Sequence, residues 1–273
     1  MSTAFDAEAV RAFEHAGWER AAGAYPATFA EATRPFIPDL LDAAGVDAGT
    51  RVLDVASGPG FVAAAAAARG AAATGLDFSP AMLAVARLLH PAIGFEHGDA
   101  ETLPYGDAAF DAVVSNFGIH HVPHPVLALR QAFRVLRSGG RVAFSVWAAP
   151  AENIAWKLLF DAIARHGDPA AAKAPAPGGG FNTPTHCEAA LREAGFTSIA
   201  TRTVTAIWRH RDGAALVAAL RAGTARMAGL IMAQDPAALP AIAADIDAGA
   251  APYRDRNGIA VPIAAVIASG VKT

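Results

Sequence analysis

Between Arg51 and Gly60 the chain reads Arg-Val-Leu-Asp-Val-Ala-Ser-Gly-Pro-Gly, an aliphatic run delivered into a glycine turn, and an acidic residue, Asp77, closes the next such run. A β-branched and aliphatic segment bounded by glycine reads as a strand buried in a parallel sheet. Glycine at its end lets backbone approach a ligand that a side chain would hold away. A helix that starts straight after the turn aims its free N–H groups and its dipole at the same spot. The layout suits a nucleotide cradle, but a tight βα corner without a ligand has the same pattern, so the sequence downstream has to decide.

That sequence repeats the unit. Strand-like runs at Val52–Ala56, Ala72–Asp77, Ile93–His97, Phe110–Ser115 and Arg141–Trp147 alternate with helical segments. One of these is nearly all alanine from Ala63 to Ala68, and another is opened by Ser79-Pro80, a cap followed by a first-turn proline. Such alternation predicts an α/β protein with a Rossmann-like, doubly wound sheet. Helices are expected over 5–22 and 30–44 ahead of it. After it come a helix over 151–166, a Pro/Gly/Ala-rich loop at Pro175–Gly180, a helix opened by Thr183-Pro184, a strand at Thr197–Trp208 and a last strand at Ile259–Ser269. The Ala-rich helical stretch 212–250 interrupts the final pair of strands. The division is therefore an N-terminal helical lid (1–48), a core (49–211 and 251–273) and an insertion (212–250) that serves as a substrate cap, a homodimer surface or plain core packing.

With 273 residues, 53% hydrophobic and 17% charged, the chain can bury a large core. A formal charge of −3 offers no basic field for a polyphosphate backbone, so nucleic acid is not the expected partner and a small molecule is. The single cysteine, Cys187, makes no internal disulfide and suits a reducing cytoplasm. Asp6, Glu8, Arg11 and Glu14 leave no apolar signal-peptide core near the start, and Ile259–Val271 is too short to span a bilayer. A cytoplasmic location without a membrane span is the expectation.

Five segments in order, Val52–Gly60, Gly75–Leu83, Gly98–Pro104, Phe110–Ser115 and Leu136–Gly140, resemble the class I S-adenosylmethionine-dependent methyltransferases, in particular the small-molecule group with the ubiquinone and menaquinone biosynthesis enzymes. The resemblance covers about Arg51 to Trp147 and implies a seven-stranded sheet whose antiparallel last strand inserts beside the fifth. It implies S-adenosylmethionine as cofactor and S-adenosylhomocysteine as product. Cofactor contacts are expected from the turn Ala56, Ser57, Gly58 and Gly60. Asp77 would accept the ribose hydroxyls, Phe78 and Met82 would enclose the adenine, and Asp99 with the Ala100 backbone would meet its polar edge. Asp54 orders the loop through backbone hydrogen bonds, Asn116 follows strand four, and Tyr25 with Trp18 folds over the methionine end or anchors an amphipathic helix. Ala56 stands where the first glycine of the turn is usual, a change tolerated if its backbone stays extended. Dinucleotide oxidoreductases share the fold, but their G-x-G-x-x-G turn is not met by Gly60-Phe61-Val62-Ala63.

Methyl transfer from a sulfonium is an in-line displacement, so alignment and exclusion of water come first and a base is optional. The loop Asn116–His124 follows strand four at the carboxyl edge of the sheet, where open α/β folds bind ligands. His120 and His121 are the base candidates, loop packing being their other role, and their adjacent spacing does not suit a metal. Acceptor selection is expected from the N-terminal helices, Trp156, Phe181-Asn182 and the insertion with Arg226, Met227 and Met232. That lining favours a small lipophilic or aromatic acceptor. Arg226 and His166 are candidates to anchor a carboxylate, a salt bridge being the plainer role for each. A protein that binds the cofactor without transferring methyl, as a cyclisation catalyst or a regulatory binder, is the alternative.

Overall fold

A computed structural model describes residues 5–171 and 181–273, so the loop expected at Pro175–Gly180 lies outside the described residues. The elements run α1 (Ala7–Ala21), α2 (Ala30–Thr33), α3 (Ile37–Ala43), β1 (Arg51–Val55), α4 (Phe61–Ala68), β2 (Ala72–Asp77), α5 (Pro80–Leu89), β3 (Gly94–His97), β4 (Phe110–Asn116), α6 (Pro125–Val135), β5 (Leu136–Trp147), α7 (Ile154–His166), α8 (Pro184–Glu193), β6 (Thr197–His210), α9 (Gly213–Gly223), α10 (Arg226–Met232), α11 (Leu239–Gly249), β7 (Arg254–Asp255) and β8 (Gly258–Val271). The strands form one sheet in the order β3-β2-β1-β4-β5-β8-β6, with β7 hairpinned onto β8. The first five are parallel, and β8 runs antiparallel to both β5 and β6. The two-residue β7 raises the expected seven strands to eight among the described residues.

The pleat explains how both faces of the sheet are filled. Alternate residues point opposite ways, so Leu53, Val55 and Val113 meet α6 and α8 on one face, while Val52, Ala112 and Val114 meet α3 and α4 on the other. The six alanines of α4 keep that helix thin. Each apolar side chain removed from water in these layers contributes about 1.5–3 kcal/mol, offset by the cost of ordering it.

Two segments depart from the expected outline. The helix expected over 30–44 is broken into α2, a 3-10 turn at Arg34–Phe36 and α3, because Pro35 and Pro38 lack the N–H that a continuous helix would use. The strand expected from Arg141 begins at Leu136, and its register against β4 slips between Phe110 and Ala112, where Gly139 takes a left-handed φ of 74°. The stretch 212–250 folds as α9, α10 and α11. Leu216, Leu220, Ile231, Ile242 and Ile246 seat on Trp156, Trp208 and the ends of β6 and β8. Gly17 in α1 lets Ala225 come so close that a Cβ on it would stand 2.5 Å from the Ala225 Cβ, so the insertion braces the outer side of α1. Among the described residues no single helix is long and apolar enough to cross a membrane.

Candidate active site

At the carboxyl ends of β1, β2 and β4, beneath α1, lies a cavity whose empty space, its mouth to open solvent included, is about 1090 Å³. Its polar end is built by β1 and β2. The Asp77 carboxylate accepts the Gly58 N–H at 2.7 Å on Oδ2 and the Ser79 N–H at 2.9 Å on Oδ1. Burial drives its pKa up to about 6 against the pull of these backbone donors. Asp54, 1% exposed, accepts the Ala63 N–H at 3.0 Å on Oδ2 and so opens α4. Its Oδ1 has no protein partner among the described residues. Burial, joined by the neighbouring charge of Asp77, pushes its pKa up to about 8.

Asp99 is drawn into the same end by α1. Arg11 pairs with Asp99 Oδ2 and reaches Glu101 Oε2 at 2.6 Å, while the Glu101 N–H is donated to Asp99 Oδ1 at 2.8 Å. Glu19, also on α1, accepts the Ser79 hydroxyl at 2.5 Å and the Ala81 N–H at 3.0 Å, tying α1 to the start of α5. None of Arg11, Glu14 or Glu19 was singled out as a site residue in the sequence. Arg11 lies 88 residues from Asp99 and Glu19 lies 60 from Ser79, and no local pattern marks them.

The other end is aromatic. Phe117 stacks on Trp147 with centroids 3.9 Å apart, and Phe29 and Tyr25 complete the wall with Thr33 and Ile37. The Tyr25 hydroxyl is 3.0 Å from Thr33 Oγ1, and burial raises its pKa to about 12. Asn116 donates from Nδ2 to the Thr33 carbonyl at 3.1 Å and accepts the Ser145 hydroxyl at 2.6 Å, fixing the end of α2 to the sheet.

Of the residues singled out in the sequence, Asp54, Ala56, Ser57, Gly58, Asp77, Phe78, Met82, Asp99, Ala100, Asn116, Tyr25 and His121 line this one cavity. Met82 also packs on Ala21 and Ala22 at the end of α1. Gly60 stands behind the lining. It takes φ 81°, and a Cβ there would lie 2.5 Å from the Phe95 ring, so the turn needs glycine for packing and for backbone geometry. His120 is also outside the lining; burial, helped by His121 and Arg226, holds its pKa well below the usual value. Ala56 does not keep the extended backbone on which its tolerance was argued. Its φ is 56°, a left-handed conformation that a Cβ disfavours.

No residue of 212–250 lines the cavity. Arg226 reaches it only by pairing with Glu14, Met232 is exposed, and Trp156 stands behind Trp147 with centroids 4.6 Å apart. Phe181 lies against Phe144 on the other side of the molecule's core. His166 sits 3.6 Å from Asp245 at the surface.

S-adenosylmethionine fits this donor and acceptor set. A Cβ on Gly58 would meet nothing nearer than the Met82 sulfur at 4.0 Å, so the turn opens into the cavity. Asp54 Oδ1 and Ser57 Oγ are buried there without partners among the described residues, a costly state that a ligand ammonium and hydroxyls would relieve.

Residues 53–144 match the family profile of the methyltransferase domain. A demethylmenaquinone methyltransferase of Renibacterium salmoninarum is 40% identical over 111 residues, 41% of this chain and 47% of the relative. A malonyl-[acyl-carrier protein] O-methyltransferase of Erwinia billingiae is 33% identical over 181 residues, 61% and 66% of the two chains. The chain spans about half the length of the demethylmenaquinone methyltransferases it matches. In fold, it superposes on a SAM-dependent methyltransferase of Thermotoga maritima with a TM-score of 0.59 at 18% identity, over 95% of this chain and 100% of that one. Motifs, sheet order and relatives agree, and residues 53–144 of this chain are a methyltransferase domain, set in the fold of the class I S-adenosylmethionine-dependent methyltransferases.

Proposed function

We propose that this protein transfers the methyl group of S-adenosylmethionine to an O, N or C atom of a small lipophilic or aromatic metabolite, chiefly by alignment and exclusion of water. The observation that carries this reading is the continuity of one cavity from Asp54, Asp77 and Asp99 to the wall of Phe29, Phe117 and Trp147. When bound, the cofactor supplies an electrophilic methyl. The chain's own residues hold the two reactants in line. Asp77 and Asp99 receive the nucleoside, and the aromatic wall receives the acceptor. Arg11, which lines the cavity, and Arg226, which stands behind it, are both paired with carboxylates, so neither is offered to an anionic acceptor. Of the two histidines, only His121 lines the cavity, so it is assigned the base role when the acceptor proton must leave.

Titration calorimetry with S-adenosylmethionine and S-adenosylhomocysteine tests the cofactor half. Saturable binding is expected in the native protein, with a loss of at least 100-fold, ~3 kcal/mol, in Asp77→Ala. Absent binding, or binding undiminished by that substitution, refutes it. Incubation with methyl-labelled cofactor and a panel of phenols, amines and activated carbon acids tests transfer: label in an organic product is expected, and label that stays on the cofactor throughout counts against the transferase reading.

A further inference from the structure

His121 shares its surroundings with Glu14 on α1, Arg226 on α10 and its neighbour His120. The Glu14 side chain is 1% exposed; burial raises its pKa, but His121 and Arg226 outweigh that and leave it below the ordinary value. One of its oxygens, Oε1, pairs with Arg226, and the other, Oε2, accepts the Trp18 indole N–H at 3.0 Å. The same Oε2 stands 3.0 Å from His121 Nδ1. That nitrogen is shut off from solvent and has no aligned hydrogen bond to any described residue, so the Glu14 oxygen is the acceptor within reach once the ring turns slightly. The ring is 16% exposed and lines the cavity, which leaves Nε2 on the accessible side.

We infer that Glu14 is a positioning residue that holds His121 with its proton on Nδ1, so that the Nε2 lone pair faces the acceptor, and that Arg226 keeps Glu14 in place for this task. The inference deepens the base role given to His121 in the proposed function and rests on that reading. It gives the lid and the insertion a part in the chemistry: α1 delivers the carboxylate and α10 clamps it. A carboxylate behind an imidazole selects tautomer and ring orientation without touching the substrate. With the cofactor bound, the acceptor's proton would go to Nε2 as the acceptor atom takes the methyl group that the cofactor would supply, the carbon–sulfur bond pair staying with sulfur.

The test needs neither acceptor nor cofactor. Long-range proton–nitrogen spectra of histidine-labelled protein at about pH 8, above the ordinary histidine range, read the tautomer of His121 directly. The native protein is expected to show the Nδ1–H form. In Glu14→Leu/Arg226→Leu, which removes both charges together and so leaves no buried ion unpaired, the ratio is expected to move roughly tenfold or more toward Nε2–H. Glu14→Gln, whose carbonyl still accepts, is expected to move it less, and this milder variant keeps the test open if the double one does not fold. An Nε2–H or doubly protonated His121 in the native protein, or a ratio unchanged in the folded variants, overturns the inference. Each of these results stands apart from the labelled-methyl experiment, which tests the transferase reading itself.

Discussion

Replacing Asp54 by Asn is expected to stabilise the cofactor-free protein, and to do so far more at pH 8 than at pH 5. In the folded state the Asp54 pKa stands at about 8, against an ordinary 3.8. Between those values the folded chain keeps a proton that the unfolded chain has released, so stability present below the lower value is lost as pH rises through the higher one. At about 1.4 kcal/mol per pH unit, the interval from about pH 5 to about pH 8 removes roughly 4 kcal/mol. Asn retains an acceptor for the Ala63 N–H but has no proton equilibrium, so its stability lacks this slope. Urea unfolding of both proteins at the two pH values gives the answer as a difference of differences, in which other titrating groups largely cancel. A variant advantage that is the same at both pH values, to within about 0.5 kcal/mol, would refute the argument that burial holds this carboxylate neutral.

Two further substitutions probe the turn. Ala56→Gly relieves a left-handed φ of 56° and is expected to raise stability by about 1 kcal/mol, a melting temperature higher by roughly 2–4 °C; a lower melting temperature would show that the Ala56 methyl matters more than the strain. Gly60→Ala puts a Cβ 2.5 Å from the Phe95 ring at φ 81° and is expected to cost roughly 2–3 kcal/mol in urea unfolding, a loss under about 0.5 kcal/mol counting against the packing argument.

The strands of the core were legible because each is a short aliphatic run that ends in a turn, and local chemistry such as Ser79-Pro80 marked where α5 begins: Ser79 Oγ accepts the Met82 N–H at 3.1 Å. The polar end of the cavity was legible for the same reason, since Asp54, Gly58 and Asp77 sit at strand ends. What escaped is what arrives from afar. Arg11 meets Asp99 across 88 positions, and Glu14 meets His121 and Arg226 from a helix that reads as merely amphipathic. Helix pattern shows which face is apolar and says nothing of which buried polar residue will find a partner. The conformation of Ala56 escaped for another reason: the demand for a left-handed backbone is set by the turn, and the residue that occupies the position does not reveal it.

The place of β8 governs the order in which this sheet can be completed. β5 and β6 are separated in space by β8 alone, and β8 comes last in the chain, after the 47 residues from 211 to 257 that follow β6. Translation delivers the N-terminal part first. While residues 258–271 are still inside the ribosome, the flank of β5 from Arg141 to Trp147 has no strand to pair with, and β6 has no sheet to join. That flank carries Val142, Phe144 and Val146, an unpaired aliphatic and aromatic edge of the kind that recruits strands from other chains. An edge open to foreign strands during synthesis is thus one that the finished sheet covers with β8.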